Sequence, residues 1–174
     1  WLHGYLKARP EEAEKAVAVI GDSTFVHSGI TGLIDTVYNQ GLSTVIILDN
    51  SITGMTGHQE NPTTGKDIHH QPAPRLSIEG ICRAAGVEKV LVADPGDLGA
   101  IREAVKEALA WRGTAVVIAR RPCALLPGVK RLPALTVAKD QCIGCRACMR
   151  IGCPAISFAG GKARIDETLC VGCG

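Results

Sequence analysis

The chain has 174 residues, 19 Lys and Arg against 17 Asp and Glu, a formal net charge of +2, and only 3% aromatic residues. That length has room for one or two domains, the near balance of charge gives no general pull toward nucleic acid or a membrane surface, and so few aromatics leave no base-stacking platform. No run of about eighteen apolar residues offers a membrane span. The opening residues include Lys7, Arg9, Glu11, Glu12 and Glu14 and contain no apolar export core, so a cytoplasmic protein is expected.

Residues 16–20 form an apolar run that ends at Gly21-Asp22. Ile30, Leu33, Ile34, Val37 and Tyr38 then recur at i, i+3, i+4, i+7 and i+8, which predicts an amphipathic helix capped by Ser28 and stopped at Gly41. Residues 44–48 are a second, β-branched run ending at Asp49-Asn50. Ser77 is the expected cap of a short helix that puts Ile78, Ile81, Cys82 and Ala85 on one face and closes at Gly86. A third strand is expected over 89–92, with Asp94-Pro95-Gly96 as its exit turn. Leu98, Ile101, Val105 and Leu109 mark a longer helix ending at Gly113, and residues 114–119 a fourth strand. Strands that are apolar throughout suit a parallel sheet covered on both faces. Their alternation with helices implies a three-layer α/β domain. The expected organisation is this α/β domain at 1–120, a linker at 121–135 rich in Pro and Gly, and a small α+β domain at 136–174. Short strands at 135–137, 156–158 and 163–165 would belong to that last domain.

Six of the eight cysteines, Cys142, Cys145, Cys148, Cys153, Cys170 and Cys173, fall in the last 33 residues. They read Cys-x2-Cys-x2-Cys-x4-Cys-Pro and then Cys-x2-Cys-Gly. Three thiolates at x2 spacing wrap one face of a cuboidal cluster, and in two-cluster ferredoxins the Cys before proline serves the other cluster. A zinc ribbon would leave the third x2 cysteine without a role, and disulfides would need an oxidising compartment. Cys142-Ile143-Gly144-Cys145 returns as Cys170-Val171-Gly172-Cys173 with a 28-residue period, as in a pseudo-symmetric two-cluster fold. Two 4Fe–4S clusters are expected, the first on Cys142, Cys145 and Cys148, the second on Cys153, Cys170 and Cys173. A piece of about 40 residues buries too little apolar area to fold unaided, so the clusters would be its core. The chain begins at Trp1 and stops one x2-Cys step short of a second full run. It is expected to be a fragment of a longer polypeptide, inactive by itself and poor at retaining iron.

The first two strands end in Gly21-Asp22-Ser23 and Asp49-Asn50-Ser51-Ile52. In open parallel sheets, ligands bind beyond the carboxyl ends of the strands. Asp22 and Asn50 offer the hard oxygens that Mg²⁺ prefers, and the turn from Gly21 to Ser28 runs into an expected helix N-terminus that would favour a phosphate. Asp and Asn are also common turn residues, and on these residues alone both readings stay open.

Gly21-Asp22-Ser23, with 26 residues intervening before Asn50, resembles the thiamine diphosphate fingerprint that runs from Gly-Asp-Gly to an Asn, with Ser23 in place of the last Gly. Residues 21–41 and 47–65 resemble the large subunit of the indolepyruvate:ferredoxin oxidoreductase family, which carries a two-cluster ferredoxin domain after its thiamine domain. The resemblance covers essentially the whole chain. It implies that Asp22, the Asn50 side chain and the Ile52 carbonyl hold Mg²⁺, while Gly21, Ser23 and Thr24 face the diphosphate. It also implies oxidative decarboxylation of a 2-oxoacid, an arylpyruvate, with electrons passing through the clusters to an external ferredoxin and the acyl group to coenzyme A. The pyrimidine half of the thiamine site would come from other domains of the same chain, beside a smaller partner subunit, so no catalytic side chain is assigned. Two alternatives remain: an electron-transfer module on an α/β docking scaffold, and a related pyruvate or branched-chain oxidoreductase.

The stretch from Asn50 to Arg75 holds many Gly and Pro and reads as a structureless functional loop. His58 and Gln59 are expected near the cofactor and His69-His70 in solvent, while His27 is only a weak catalytic candidate. Cys82 is expected as a core thiol, and Cys123 receives no role. Arg120, Arg121, Lys130, Arg131, Lys139, Arg146 and Arg150, against Asp140 alone, are read as compensation for anionic clusters rather than as a docking face for a ferredoxin.

Overall fold

A computed structural model describes residues 1–173 and divides the chain into two compact units, Trp1–Cys123 and a second beginning at Ala124. The first unit is built on four parallel strands, β1 (Val17–Gly21), β2 (Thr44–Asp49), β3 (Lys89–Ala93) and β4 (Ala115–Arg120), in the order β1-β2-β4-β3. Each strand lies within a residue of its expected place. The register sets Ile20 beside Ile47 and Ile47 beside Ile118. These three point to one face, where they pack with Phe25, Leu33, Ile78, Cys82, Val87 and Val116. The neighbouring residues Ile46, Leu91, Ala115 and Val117 point the other way, against Ile101, Ala104, Val105 and Ala108 of α5 (Leu98–Ala110). Helices therefore cover both faces, which is why the strands carry no polar alternation. Before the sheet come α1 (Leu2–Ala8) and a 3₁₀ turn (Pro10–Lys15).

The first long helix starts earlier than its periodicity implied. It begins at Asp22, as α2 (Asp22–Thr24), widens through a π-helical turn (Phe25–Gly29) and continues as α3 (Ile30–Tyr38). Ser28 is not its cap: the hydroxyl lies inside the helix and donates to the Thr24 carbonyl. The helix ends at Tyr38, ahead of Gly41, with Asn39 as its C-cap. Ser77 does cap α4 (Ile78–Ala84), accepting from the Gly80 N–H at 3.0 Å. Asp97 plays the same part for α5 through the Ala100 N–H. An Ncap side chain satisfies one of the donors that a helix start leaves open.

The connection from β2 to α4 is ordered rather than structureless. Bridges join Thr53 to Gln59 and Lys66 to Pro72. Its interior is polar: the Asn61 Oδ1 accepts from the Thr63 N–H and hydroxyl at 2.9 and 2.7 Å, and Arg75 Nε donates to the Thr63 carbonyl at 2.8 Å. Asn61 and Thr63 are buried, so the loop has a hydrogen-bonded core of its own.

The second unit contains a hairpin, β5 (Ile156–Ala159) and β6 (Lys162–Ile165), and a 3₁₀ turn at Ala147–Ile151. Gly160 and Gly161 form its two-residue turn with φ of 60° and 74°, the type I′ geometry that matches strand twist. Residues 135–137 form no strand; the Leu135 N–H is taken instead by the Cys170 sulfur at 3.4 Å.

Candidate functional site

β1 and β2 are paired neighbours, and their carboxyl ends bring the two predicted loops together. Thr53 Oγ donates to Ser23 Oγ at 3.0 Å, and Asn61 Nδ2 donates to Thr53 Oγ at 3.3 Å. A chain of short polar side chains thus ties the β1 exit to the β2 exit and to the long loop behind it. Gly21, Asp22, Ser23, Asn50 and Ile52 all belong to this junction, and Thr24 follows at the exposed start of the helix. On the second loop, the Asn50 Oδ1 accepts from the Ile52 N–H at 3.1 Å, which fixes the amide within the turn. Ser51 between them has φ of 59°, the left-handed region.

Two carboxylates are buried here, Asp22 at 3% exposure and Asp49 at 2%. They are treated differently by their surroundings. Asp49 is neutralised: Arg120 Nε donates to its Oδ2 at 2.6 Å, while its Oδ1 accepts from the Ser51 N–H at 3.1 Å. Asp22 has one oxygen bonded to the Ser23 N–H at 2.7 Å and the other, Oδ2, buried with no partner. Burial pushes the Asp22 carboxyl above its ordinary value and the nearby Asp49 charge adds to this, while the Ser23 and Ser51 N–H groups oppose it. An orphaned carboxylate oxygen and a turn amide oxygen, at the ends of two paired strands, are donor types suited to a hard divalent cation. The residues present therefore fit the metal that a diphosphate cofactor requires.

Arg120 has partners that sequence reasoning did not foresee. It stands at the end of β4, donates to Asp49, and makes a two-point bond to Glu79 of α4 at 2.7 and 2.9 Å. Arg121 pairs with Asp94 at 3.6 Å. Both belong to the first unit. In the second unit Arg146 lies over the Phe158 ring at 4.5 Å, and Arg131 Nε donates to the Ala124 carbonyl.

Other candidates fall as follows. His27, His58 and His69 are exposed. The Gln59 side chain is engaged with Thr56, and His70, exposed as expected, pairs with Glu60 at 3.1 Å. Cys82 is fully buried in the core, which pushes its thiol up to about 11. Cys123 meets the site through its backbone, its N–H donating to the Asn50 carbonyl at 2.9 Å.

In the second unit, Cys142, Cys145, Cys148, Cys153 and Cys170 form no disulfide. The two x2 turns share one backbone device. Gly144 and Gly172 both take left-handed φ, 73° and 65°. A Cβ at Gly144 would lie 2.5 Å from the Gly161 carbonyl oxygen, and one at Gly172 would lie 2.6 Å from that of Pro133. The N–H groups of Ala163 and Gly144 turn toward the Cys142 sulfur and hold its thiol below the ordinary value. Sulfurs accepting backbone N–H bonds are the surroundings in which an anionic iron–sulfur cluster sits. Among the described residues, no three His, Cys, Asp or Glu side chains are gathered closely enough to hold a single metal ion.

A parallel sheet with a polar junction at adjacent strand ends and a buried, unpaired aspartate is a cofactor-binding α/β domain. The chain belongs to the thiamine pyrophosphate enzymes: residues 3–119 match the family described as "Thiamine pyrophosphate enzyme, C-terminal TPP binding domain". More narrowly, it is similar to the indolepyruvate oxidoreductase subunit IorA of Archaeoglobus fulgidus, at 44% identity over 91% of this chain and 26% of that protein. The same subunit from Pyrococcus horikoshii is 40% identical over 94% of this chain and 26% of its own length. The chain spans about a quarter of the length of these curated relatives. A 2-oxoglutarate:ferredoxin oxidoreductase from Magnetococcus marinus shares the fold with a TM-score of 0.57 at 21% identity, over 73% of this chain and 48% of that one. Among the described residues, no helix is long and apolar enough to cross a membrane.

Proposed function

We propose that this chain supplies the diphosphate-binding half of a thiamine site, and the first relay of an electron path, in a 2-oxoacid:ferredoxin oxidoreductase that acts on arylpyruvates such as indolepyruvate. The observation that carries this reading is the buried Asp22 Oδ2 with no partner, at the strand-end junction of a domain that matches the thiamine family. Asp22, the Asn50 side chain and the Ile52 carbonyl would hold Mg²⁺, with Gly21, Ser23 and Thr24 toward the diphosphate. Bound thiamine diphosphate supplies the means to stabilise the carbanion left when a 2-oxoacid loses CO₂. The protein's part is to fix the diphosphate against the sheet, exclude water from the junction and keep one carboxylate free for the metal.

Cys142, Cys145 and Cys148, and separately Cys153, Cys170 and Cys173, would hold two 4Fe–4S clusters that pass single electrons to an external ferredoxin. Coenzyme A would take the acyl group. The curated relatives are named as one subunit of an oxidoreductase, which supports a partner subunit and further domains that complete the site. The domain limits 1–120, 121–135 and 136–174 are part of the same proposal.

The test is Asp22→Ala in the intact enzyme. Asp22 lies at a strand end and belongs to neither apolar cluster, so its loss removes no apolar packing from the core. Mg²⁺-dependent thiamine diphosphate binding, measured by calorimetry, should be lost while the circular dichroism spectrum is retained. Unchanged affinity would remove Asp22 from the metal shell and the reading with it.

A further inference from the structure

We infer that Arg120 is a positioning residue for the proposed metal loop: with Glu79 behind it, it holds Asp49 so that Asp49 sets the left-handed turn at Ser51 and presents Asn50 and Ile52. This rests on the reading of the junction given under Proposed function. The chain of bonds is continuous. Glu79, on the first turn of α4, grips both Arg120 terminal nitrogens at 2.7 and 2.9 Å. The remaining Arg120 Nε meets Asp49 Oδ2 at 2.6 Å. Asp49 Oδ1 then accepts the Ser51 N–H at 3.1 Å, with the Ser51 hydroxyl at 3.5 Å.

Two backbone bonds pin the same loop from the β4 side. The Arg121 N–H donates to the Asp49 carbonyl at 3.0 Å and the Cys123 N–H to the Asn50 carbonyl at 2.9 Å. The segment following Arg120 thus grips the β2 exit from one side and the Asp49 carboxylate grips it from the other. Ser51, with φ of 59°, adopts a conformation that a non-glycine residue keeps only when its surroundings impose it. The bond from the Ser51 N–H to Asp49 Oδ1 holds it there, together with the bond from the Ile52 N–H to Asn50 Oδ1. Arg120 has a second effect on the same spot. It pairs one of two neighbouring buried carboxylates, so Asp22 alone is left with an oxygen for a cation.

Arginine suits this task because its planar fork can serve two carboxylates at fixed angles, which a lysine cannot. Neither Arg120 nor Glu79 is among the assigned cofactor ligands, so their influence runs through Asp49. Partners that orient ligands in this way typically change metal affinity roughly 10- to 100-fold when removed.

The experiment uses the complete enzyme stripped of cofactor and titrated with thiamine diphosphate and Mg²⁺. Arg120→Met and Glu79→Gln should each raise the cofactor concentration needed for half-saturation, Arg120→Met by roughly tenfold or more. kcat at saturating cofactor should stay near the wild-type value. Adding Ser51→Gly to Arg120→Met should recover part of the affinity, because glycine enters the left-handed region without being held there. A loss that came only from general loosening of the fold would not be recovered by that change. Unchanged half-saturation in both Arg120→Met and Glu79→Gln, or no recovery with Ser51→Gly, would overturn the inference. If Arg120→Met fails to fold, Glu79→Gln with and without Ser51→Gly decides by the same criteria. Asp22→Ala, run alongside, separates the two levels. Binding that survives Asp22→Ala defeats the site itself, whereas binding lost there but untouched by the Arg120 and Glu79 variants defeats only the positioning role.

Discussion

Glu79 receives two hydrogen bonds from Arg120, and that guanidinium holds its carboxyl at about 2 against an ordinary 4.5. The sign of the consequence is fixed. A carboxylate whose folded value is depressed adds stability above its unfolded value, and this contribution fades as pH falls from about 4.5 toward 2. Each unit corresponds to about 1.4 kcal/mol, and the side chain is 21% exposed, so a contribution on the order of 2–3 kcal/mol at neutral pH is expected. Urea unfolding of wild type and Glu79→Gln should differ by about that amount at pH 7 and converge near pH 2. A difference that stays constant with pH would show that the ionised form is not what matters. Cys82 illustrates the opposite extreme at this scale, a thiol whose burial leaves it inert packing material.

At the scale of elements, β2 is the keystone of the first unit because it pairs with both β1 and β4 and ends at the candidate site. Ile47 is fully buried at its centre, between Ile20 and Ile118. Ile47→Ala should lower unfolding free energy by about 2–5 kcal/mol, since a close-packed sheet core collapses little around a cavity. Denaturant midpoints would show it, and a change below about 1 kcal/mol would mean that the packing here is loose. In the second unit the equivalent elements are the two Cys-x-Gly-Cys turns. Gly172→Ala forces a side chain against the Pro133 and Leu132 carbonyls in a left-handed turn. The complete enzyme should carry about eight irons per copy of this chain, and the variant roughly half that number, because only the second turn is spoiled. Full iron occupancy in Gly172→Ala would show that the turn tolerates a side chain and that its glycine is incidental.

For the whole molecule, the proposed function would give the α/β unit a carbon-chemistry site and the cysteine-rich unit an electron outlet. Substrate choice would be a property of the assembled enzyme. An arylpyruvate ring buries on the order of 150–250 Å², at about 25 cal/mol per Å², in a pocket built for it. That amounts to a few kcal/mol unavailable to pyruvate, or roughly two to three orders of magnitude in specificity if expressed in the transition state. With a viologen dye as acceptor, kcat/KM should be higher for indolepyruvate or phenylpyruvate than for pyruvate. The reverse order would move the enzyme to the pyruvate-oxidising branch without disturbing the cofactor assignments.

The features legible in the sequence were those written in short range. Apolar runs of four to six residues located the four strands to within a residue. Ser77 announced its helix because a cap and its N–H lie three residues apart. The cysteine spacing came from the same kind of local pattern, whereas Asp22 and Asn50 were joined only by the resemblance to a family fingerprint. What tertiary structure alone decided lies at long separation. Arg120 looked like one of a run of basic residues, and only the sheet order reveals its carboxylates, 71 and 41 residues away in the chain. The order inside the loop after Asn50 was hidden for the same reason, since Thr53 reaches back 30 residues to Ser23. Ser28 was mistaken for a cap because hydrophobic period locates a helix face and not its first turn, whereas Asp22 starts the helix directly off the end of β1. Periodicity and spacing report what a backbone does with its near neighbours. Which distant side chain neutralises a buried charge is fixed only when the strands have paired.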